Sequence, residues 1–171
     1  MKIMIASDIH GSAYYAKKLI EAYKSSGAAR LVLLGDLLYH GPRNDLPREY
    51  NPKAVIELLN GISEELLCVR GNCDTEVDQM VLSFPILADY AVIELDGRMF
   101  YLTHGHNYGV DNFPNIKKGD GIMQGHTHIP MNEEREGVLC INPGSVSIPK
   151  NGSDHQCLLY DNGEFRKVTL E

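Results

Sequence analysis

The chain has 171 residues and 19.1 kDa, with 43% apolar and 23% charged side chains, enough for one domain (1–171) with a real core. Sixteen Lys plus Arg stand against 23 Asp plus Glu, a formal charge of −7 that disfavours a protein tracking the phosphates of long DNA or RNA. No apolar run approaches the roughly 20 residues of a membrane span, and Met1 to Ser7 lacks the flanks of a signal peptide, so the expectation is a cytoplasmic protein without a membrane partner.

In chain order, Ile3 to Ala6 is a short apolar run, followed by Ser12 to Ser26 with apolar residues at Ala16, Leu19, Ile20 and Tyr23. That spacing predicts a helix stopped by Gly27. Leu31 to Leu34 reads as a second strand. Pro52 to Leu59 reads as a helix, with Asn51 as cap and proline in the first turn. Leu66 to Val69 is a third strand. After Pro85 the texture becomes β: Tyr90 to Leu95 and Met99 to Thr103 flank Asp96-Gly97, a hairpin signal. Val138 to Ile141, Gln156 to Tyr160 and Phe165 to Leu170 continue as strands, the last two joined by Asp161-Asn162-Gly163. A βαβαβ half followed by a mostly β half fits mixed sheets with helices outside.

The informative feature is where the runs end. Ile3–Ala6 leads through Ser7 to Asp8-Ile9-His10, and Leu31–Leu34 leads to Gly35-Asp36. Leu66–Val69 leads through Arg70-Gly71 to Asn72-Cys73-Asp74, Phe100–Thr103 to His104-Gly105-His106, and Gly121–Gln124 to Gly125-His126-Thr127-His128. Five strand-like runs thus deliver Asp, Asn or His at their C-terminal ends, where α/β folds place ligands. Any one tail is compatible with capping or solvated loop residues. All five together point to a metal site.

Imidazoles, carboxylates and an amide oxygen suit Mn, Fe, Zn or Ni. The four cysteines, Cys68, Cys73, Cys140 and Cys157, contain no C-x-x-C pair, which excludes a zinc ribbon and a disulfide scaffold. Asp8, His10, Asp36, Asn72, His104, His126 and His128 are too many ligands for one tetrahedral zinc. Two ions sharing a bridging Asp36 accommodate them, at the roughly 3.5–4 Å separation of two-metal hydrolases.

The set Asp8-x-His10, Gly35-Asp36, Gly71-Asn72, His104 and Gly125-His126-Thr127-His128 resembles the calcineurin-like metallophosphoesterases, over about Met1 to Lys150. The resemblance implies an α/β, four-layer sandwich, two mixed β-sheets packed face to face with helices outside. It implies one ion held by Asp8, His10, Asp36 and His128, and another by Asp36, Asn72, His104 and His126. It also implies a phosphodiesterase in which a metal-bridging hydroxide attacks phosphorus, with Mn²⁺ favoured and Ni²⁺, Fe²⁺ or Zn²⁺ as alternatives.

The sequence departs from the family pattern in three places. The asparagine is commonly followed by a histidine that protonates the leaving oxygen or holds the phosphate; here it is Cys73, so Asn72 and Cys73 are the candidate catalytic pair. The acidic residue often found soon after the bridging aspartate is absent from Leu37-Leu38-Tyr39-His40, and His106 has no settled ligand role. Without a histidine at position 73, good activity is expected only on diesters whose leaving group needs little help. Cys73 also reads as a small packing residue.

Arg43, in a Gly-Pro loop beside His40, is a candidate phosphate clamp. His106 is a candidate on the substrate side, and Asp74 is expected to cap the helix start at Thr75. Asn142-Pro143-Gly144-Ser145 reads as a turn beside the pocket. The leading expectation is an enzyme acting on a small phosphodiester. The alternatives are a catalytically weakened scaffold of the same fold and a nuclease acting on short nucleic acids. A homo-oligomer is left open.

Overall fold

A computed structural model describes all 171 residues. The first sheet contains β1 (Ile3–Ala6), β2 (Arg30–Leu33), β3 (Leu66–Cys68), β9 (Gln156–Asp161) and β10 (Glu164–Thr169), in the order β10-β9-β1-β2-β3. The second contains β4 (Ala91–Leu95), β5 (Arg98–Leu102), β6 (Gly121–Met123), β7 (Met131–Arg135) and β8 (Val138–Asn142), in the order β4-β5-β6-β8-β7. Strands β1, β2 and β3 pair in parallel, with Ile3 opposite Arg30 and Leu31 opposite Leu66. Strands β5, β6 and β8 also run parallel. The remaining pairings are antiparallel, so both sheets are mixed.

The alternation of side chains along a strand explains the layers. Ile3 and Ile5 of β1, with Val32 of β2 and Leu34 just beyond it, face Leu95, Phe100, Leu102, Met123 and Ile141 of the second sheet and form the core between the sheets. Met4 and Ala6, with Leu31 and Leu33, face the other way and pack on Ala16, Leu19, Ile20 and Tyr23 of α1 (Ala13–Ser26) and Val55 and Leu59 of α2 (Pro52–Asn60). Near-continuous apolar runs are what a strand buried on both faces requires. The outer face of the second sheet carries no long helix. There Val110, Phe113 and Ile116 of the connection between β5 and β6 cover Ile122, Val138 and Cys140.

Local chemistry sets the element ends. The Ser12 hydroxyl accepts from the Tyr15 amide and Gly27 closes α1 at φ 69°. The Asn51 side chain accepts from the Ala54 amide, with Pro52 opening α2. Asp96 and Gly97 both take positive φ, 50° and 81°, as a tight hairpin demands. Strand β7 has no counterpart in the sequence reading. Its residues Met-Asn-Glu-Glu-Arg do not alternate, because it is an edge strand with three exposed polar residues; the hairpin residues Glu136 and Gly137, at φ 54° and 83°, carry its only local signal. No helix is long and apolar enough to cross a membrane.

The parallel arrangement matters most for the site. Three parallel strands in each sheet end at a common edge, so the tails of β1, β2, β3, β5 and β6 converge there.

Candidate metal centre

The seven sequence-predicted ligands come together at that edge. Asp8 Oδ1 lies 3.4 Å from His10 Nε2, 3.2 Å from His128 Nε2 and 4.0 Å from His104 Nε2. Asp36 Oδ2 lies 3.7 Å from His10 Nε2 and 3.3 Å from His104 Nε2, placing its carboxylate between two groups of donors. Around His104 Nε2 the Asn72 amide oxygen sits at 3.0 Å and His126 Nδ1 at 3.3 Å. Three groups of close donors could hold an ion: Asp8, His10 and His128; His10, Asp36 and Cys73; and Asp8, Asp36 and His104. Asn72 and His126 flank the group built on His104.

Three imidazoles have their orientation fixed from behind. Nδ1 of His10 lies 2.7 Å from the Tyr39 carbonyl, Nδ1 of His104 2.6 Å from the Leu34 carbonyl, and Nδ1 of His128 2.6 Å from the Ile148 carbonyl. A carbonyl accepts only, so Nδ1 carries the proton and donates, leaving Nε2 as the lone-pair donor facing inward. His126 is held differently: its backbone N–H donates to Asp8 Oδ2 at 3.0 Å and its ring presents Nδ1.

The strand tails must turn sharply to aim these groups. Asp8, His10, Asp36, His126 and His128 all adopt left-handed backbone, with φ of 59°, 49°, 58°, 66° and 60°. Each is a non-glycine residue in a region that costs energy, and such strain concentrates at functional sites. Two glycines allow the tails to close on one another. A Cβ on Gly71 would overlap the Asp36 carboxylate, and one on Gly125 would overlap the Ser7 hydroxyl and crowd Asp8.

Electrostatics follow from packing carboxylates and imidazoles away from water. Burial opposes ionisation of Asp8, yet the contacts with His10 and His128 and the charges of His104 and His128 outweigh it and hold the carboxyl well below its usual range. Burial likewise opposes protonation of His104, but Asp36, Asp8 and the Leu34 carbonyl raise its pKa to about 9. Burial and the Asp36 carboxylate push the Cys73 thiol up to about 12. Asp8 Oδ1 is buried and has no hydrogen-bond partner.

A cavity of about 290 Å³ opens over these groups. Arg43 lines it, as the sequence suggested, together with Asn44 and Lys150, which the sequence reading did not single out. Cys73 lines it too, its N–H donating to Asp36 Oδ1 at 2.8 Å. His106 is exposed and stands beside the cavity instead, its ring 5.4 Å from that of His104 and 6.2 Å from that of His126.

One expectation is corrected. Asp74 does not cap α3 (Glu76–Gln79); the Thr75 side chain does, in a capping box with Asp78. Asp74 is instead buried, and its carboxylate accepts from the backbone N–H groups of Asp36, Leu37 and Gly71 at 2.7–2.9 Å. It ties the Asp36 tail to the Asn72 tail. On sequence grounds alone an aspartate one residue before a Thr-x-x-Asp start is indistinguishable from a cap, because its partners lie 37 and 38 positions away. The turn at Asn142 also serves the site: its Nδ2 donates to the Gly125 carbonyl at 2.8 Å, while the Ser145 and Ser147 hydroxyls donate to the Asp8 carbonyl at 2.8 and 3.2 Å.

Residues 1–164 match the family model of the calcineurin-like phosphoesterase superfamily domain. The chain belongs to the calcineurin-like phosphoesterase superfamily. It is 46% identical to phosphodiesterase YfcE of Escherichia coli strain K12 over 170 residues, covering 99% of this chain and 92% of the relative. It is 28% identical over 184 residues, the full length of both, to a phosphodiesterase of Methanocaldococcus jannaschii. A solved structure of the E. coli YfcE phosphoesterase superposes with a TM-score of 0.93 at 43% identity, covering both chains fully. Vps29 of Entamoeba histolytica, solved with Zn²⁺, shares the fold with a TM-score of 0.62 at 16% identity.

The calcineurin-like phosphoesterase fold implies divalent metal ions, and the donor set fits them. Inward-facing Nε2 atoms, two buried carboxylates and an orphaned Asp8 Oδ1 are what a cation requires and what a metal-free interior would have to compensate. Asp74→Asn replaces one of the two acceptor oxygens by an NH₂, which leaves at least one of the three N–H donors facing a donor. It is expected to lower unfolding stability by about 2–3 kcal/mol and to weaken divalent-ion uptake, measured by thermal melting with and without Mn²⁺.

Proposed function

We propose that the protein is a phosphodiesterase hydrolysing small phosphodiesters with two divalent cations. Asp8, His10, Asp36 and His128 would hold one, and Asp36, Asn72, His104 and His126 the other. The observation that carries this reading is the convergence of seven N and O donors on two adjoining points, with Asp36 between them. Identity of 46% to a phosphodiesterase along 99% of the chain supports the reaction class.

When bound, the cations supply Lewis acidity, lowering the pKa of water and neutralising charge on the phosphoryl oxygens. The chain's own residues do the rest. The carbonyls behind His10, His104 and His128 would hold one ring proton on Nδ1, so that Nε2 is the nitrogen pointed inward. Asp74 keeps the Asp36 and Asn72 tails in register. The carboxylate and carboxamide oxygens suit Mn²⁺, the first choice, while the imidazoles keep Ni²⁺, Fe²⁺ and Zn²⁺ as alternatives.

Cys73 occupies the position from which a general acid would serve the leaving oxygen. A thiol there lacks the ready proton of a histidine, and its Sγ lies 3.4 Å from the Asn72 amide nitrogen. Leaving groups that depart as stable anions are therefore the good substrates. Against the alternative of a catalytically weakened scaffold, a scaffold has no need of strained, inward-aimed donors such as these. The acidic chain, at −7, disfavours a nuclease working on long strands.

Exhaustive chelation is expected to abolish hydrolysis of bis(4-nitrophenyl) phosphate, and added Mn²⁺ to restore it; full activity of a verified metal-free preparation would contradict the reading. Cys73→His is expected to raise kcat/KM for diesters with alkyl leaving groups by on the order of 10²-fold while changing bis-aryl diesters far less. Steady-state kinetics on the two classes checks it, and equal changes on both would remove the general-acid argument.

A further inference from the structure

The cavity over the metal centre has a rim whose chemistry the diester alone does not explain. Of its 11 lining residues only one is hydrophobic, and no Phe, Tyr or Trp is among them. An acyl chain has nothing to pack against, and the only aromatic rings that line the cavity are the imidazoles of His10, His126 and His128. The rim instead carries two cations, Arg43 and Lys150, on separate loops.

Both backbones are tied down close to the site. Asn44 Nδ2 donates to the His40 carbonyl at 2.8 Å, closing the turn that bears Arg43. The Lys150 N–H donates to the His128 carbonyl at 3.3 Å, and the Lys150 carbonyl accepts from the Ser153 hydroxyl at 2.7 Å. The side chains themselves have no partner. Like most of the chain's exposed cations, Arg43 and Lys150 form neither an ion pair nor a side-chain hydrogen bond, so both charged heads are available to the cavity. In a chain with 23 acidic and 16 basic residues, their common position on one cavity sets these two cations apart.

The scissile diester does not need them. Two dications opposed by the carboxylates of Asp8 and Asp36 already outweigh the single negative charge of a diester. A guanidinium and an ammonium together match a dianion, and the planar fork of arginine suits phosphate oxygens. We propose that the natural substrate is a small phosphodiester bearing a second, terminal phosphate, which Arg43 and Lys150 grip from the cavity rim. This rests on the phosphodiesterase reading above and names its substrate class.

The test compares two chromogenic diesters that differ by one group: thymidine 3′-(4-nitrophenyl phosphate) with and without a 5′-phosphate. With Mn²⁺-loaded enzyme the 5′-phosphorylated diester is expected to show a kcat/KM at least about fivefold higher, through KM, because two exposed charge contacts are each modest. The preference is expected to shrink as ionic strength rises. In a folded Arg43→Gln/Lys150→Gln variant the ratio of the two kcat/KM values is expected to fall to about one. Equal kcat/KM in the unmutated enzyme, or a preference that survives in the double variant, overturns the proposal alone. Absence of hydrolysis of both diesters and of bis(4-nitrophenyl) phosphate overturns the phosphodiesterase reading and this proposal with it.

Discussion

Two carboxylates and three imidazoles share a dry edge between two sheets, and the structure is organised around that congestion. Asp8, Asp36, His10, His104 and His128 are all buried, and Asp8 Oδ1 has no hydrogen-bond partner. Burying two like charges this close is costly unless cations or protonated imidazoles neutralise them. The same crowding shows in the electrostatics: Asp36, Asp8 and the Leu34 carbonyl raise the His104 pKa to about 9 against the effect of burial, and the imidazoles hold the Asp8 carboxyl well below its usual range. Divalent cations supply the same neutralisation while leaving the imidazoles as neutral ligands, so metal and protons compete for one set of atoms.

The fold meets this demand by ending three parallel strands of each sheet at one place. Core packing of Ile3, Ile5, Phe100, Leu102 and Met123 between the sheets fixes how far apart the strand ends lie. Left-handed turns at five of the ligands then bend the tails inward. Asp74, Asn142, Ser145 and Ser147 hold those turns through backbone groups of neighbouring tails. Rigidity comes from these cross-links, and the open side, with Asn72 exposed and His126 half-buried, faces the cavity.

How far the sequence could be read depended on whether a residue's partners were local. Apolar runs at Ile3–Ala6 and Leu31–Leu34, the helical spacing to Gly27 and the Asp96-Gly97 hairpin were legible because each is governed by neighbours within a few positions. The seven candidate ligands were legible because each follows such a run. Strand β7 was not, since an exposed polar edge strand leaves no alternation. Asp74 was read first as a cap because two of its three N–H donors, those of Asp36 and Leu37, reach it from across the site. Lys150 was passed over because nothing local distinguishes a lysine after Ile148-Pro149, and only the return of the chain past His128 brings it to the cavity.

The central claim is that Asp36 joins two cation sites built from these seven residues. Anomalous diffraction at the manganese edge, from crystals of the Mn²⁺-loaded protein, tests it most directly. The account predicts two peaks per chain flanking the Asp36 carboxylate, one within bonding distance of Asp8, His10 and His128, the other of Asn72, His104 and His126. A single peak, or peaks that leave Asp36 or Asn72 unbonded, would contradict it.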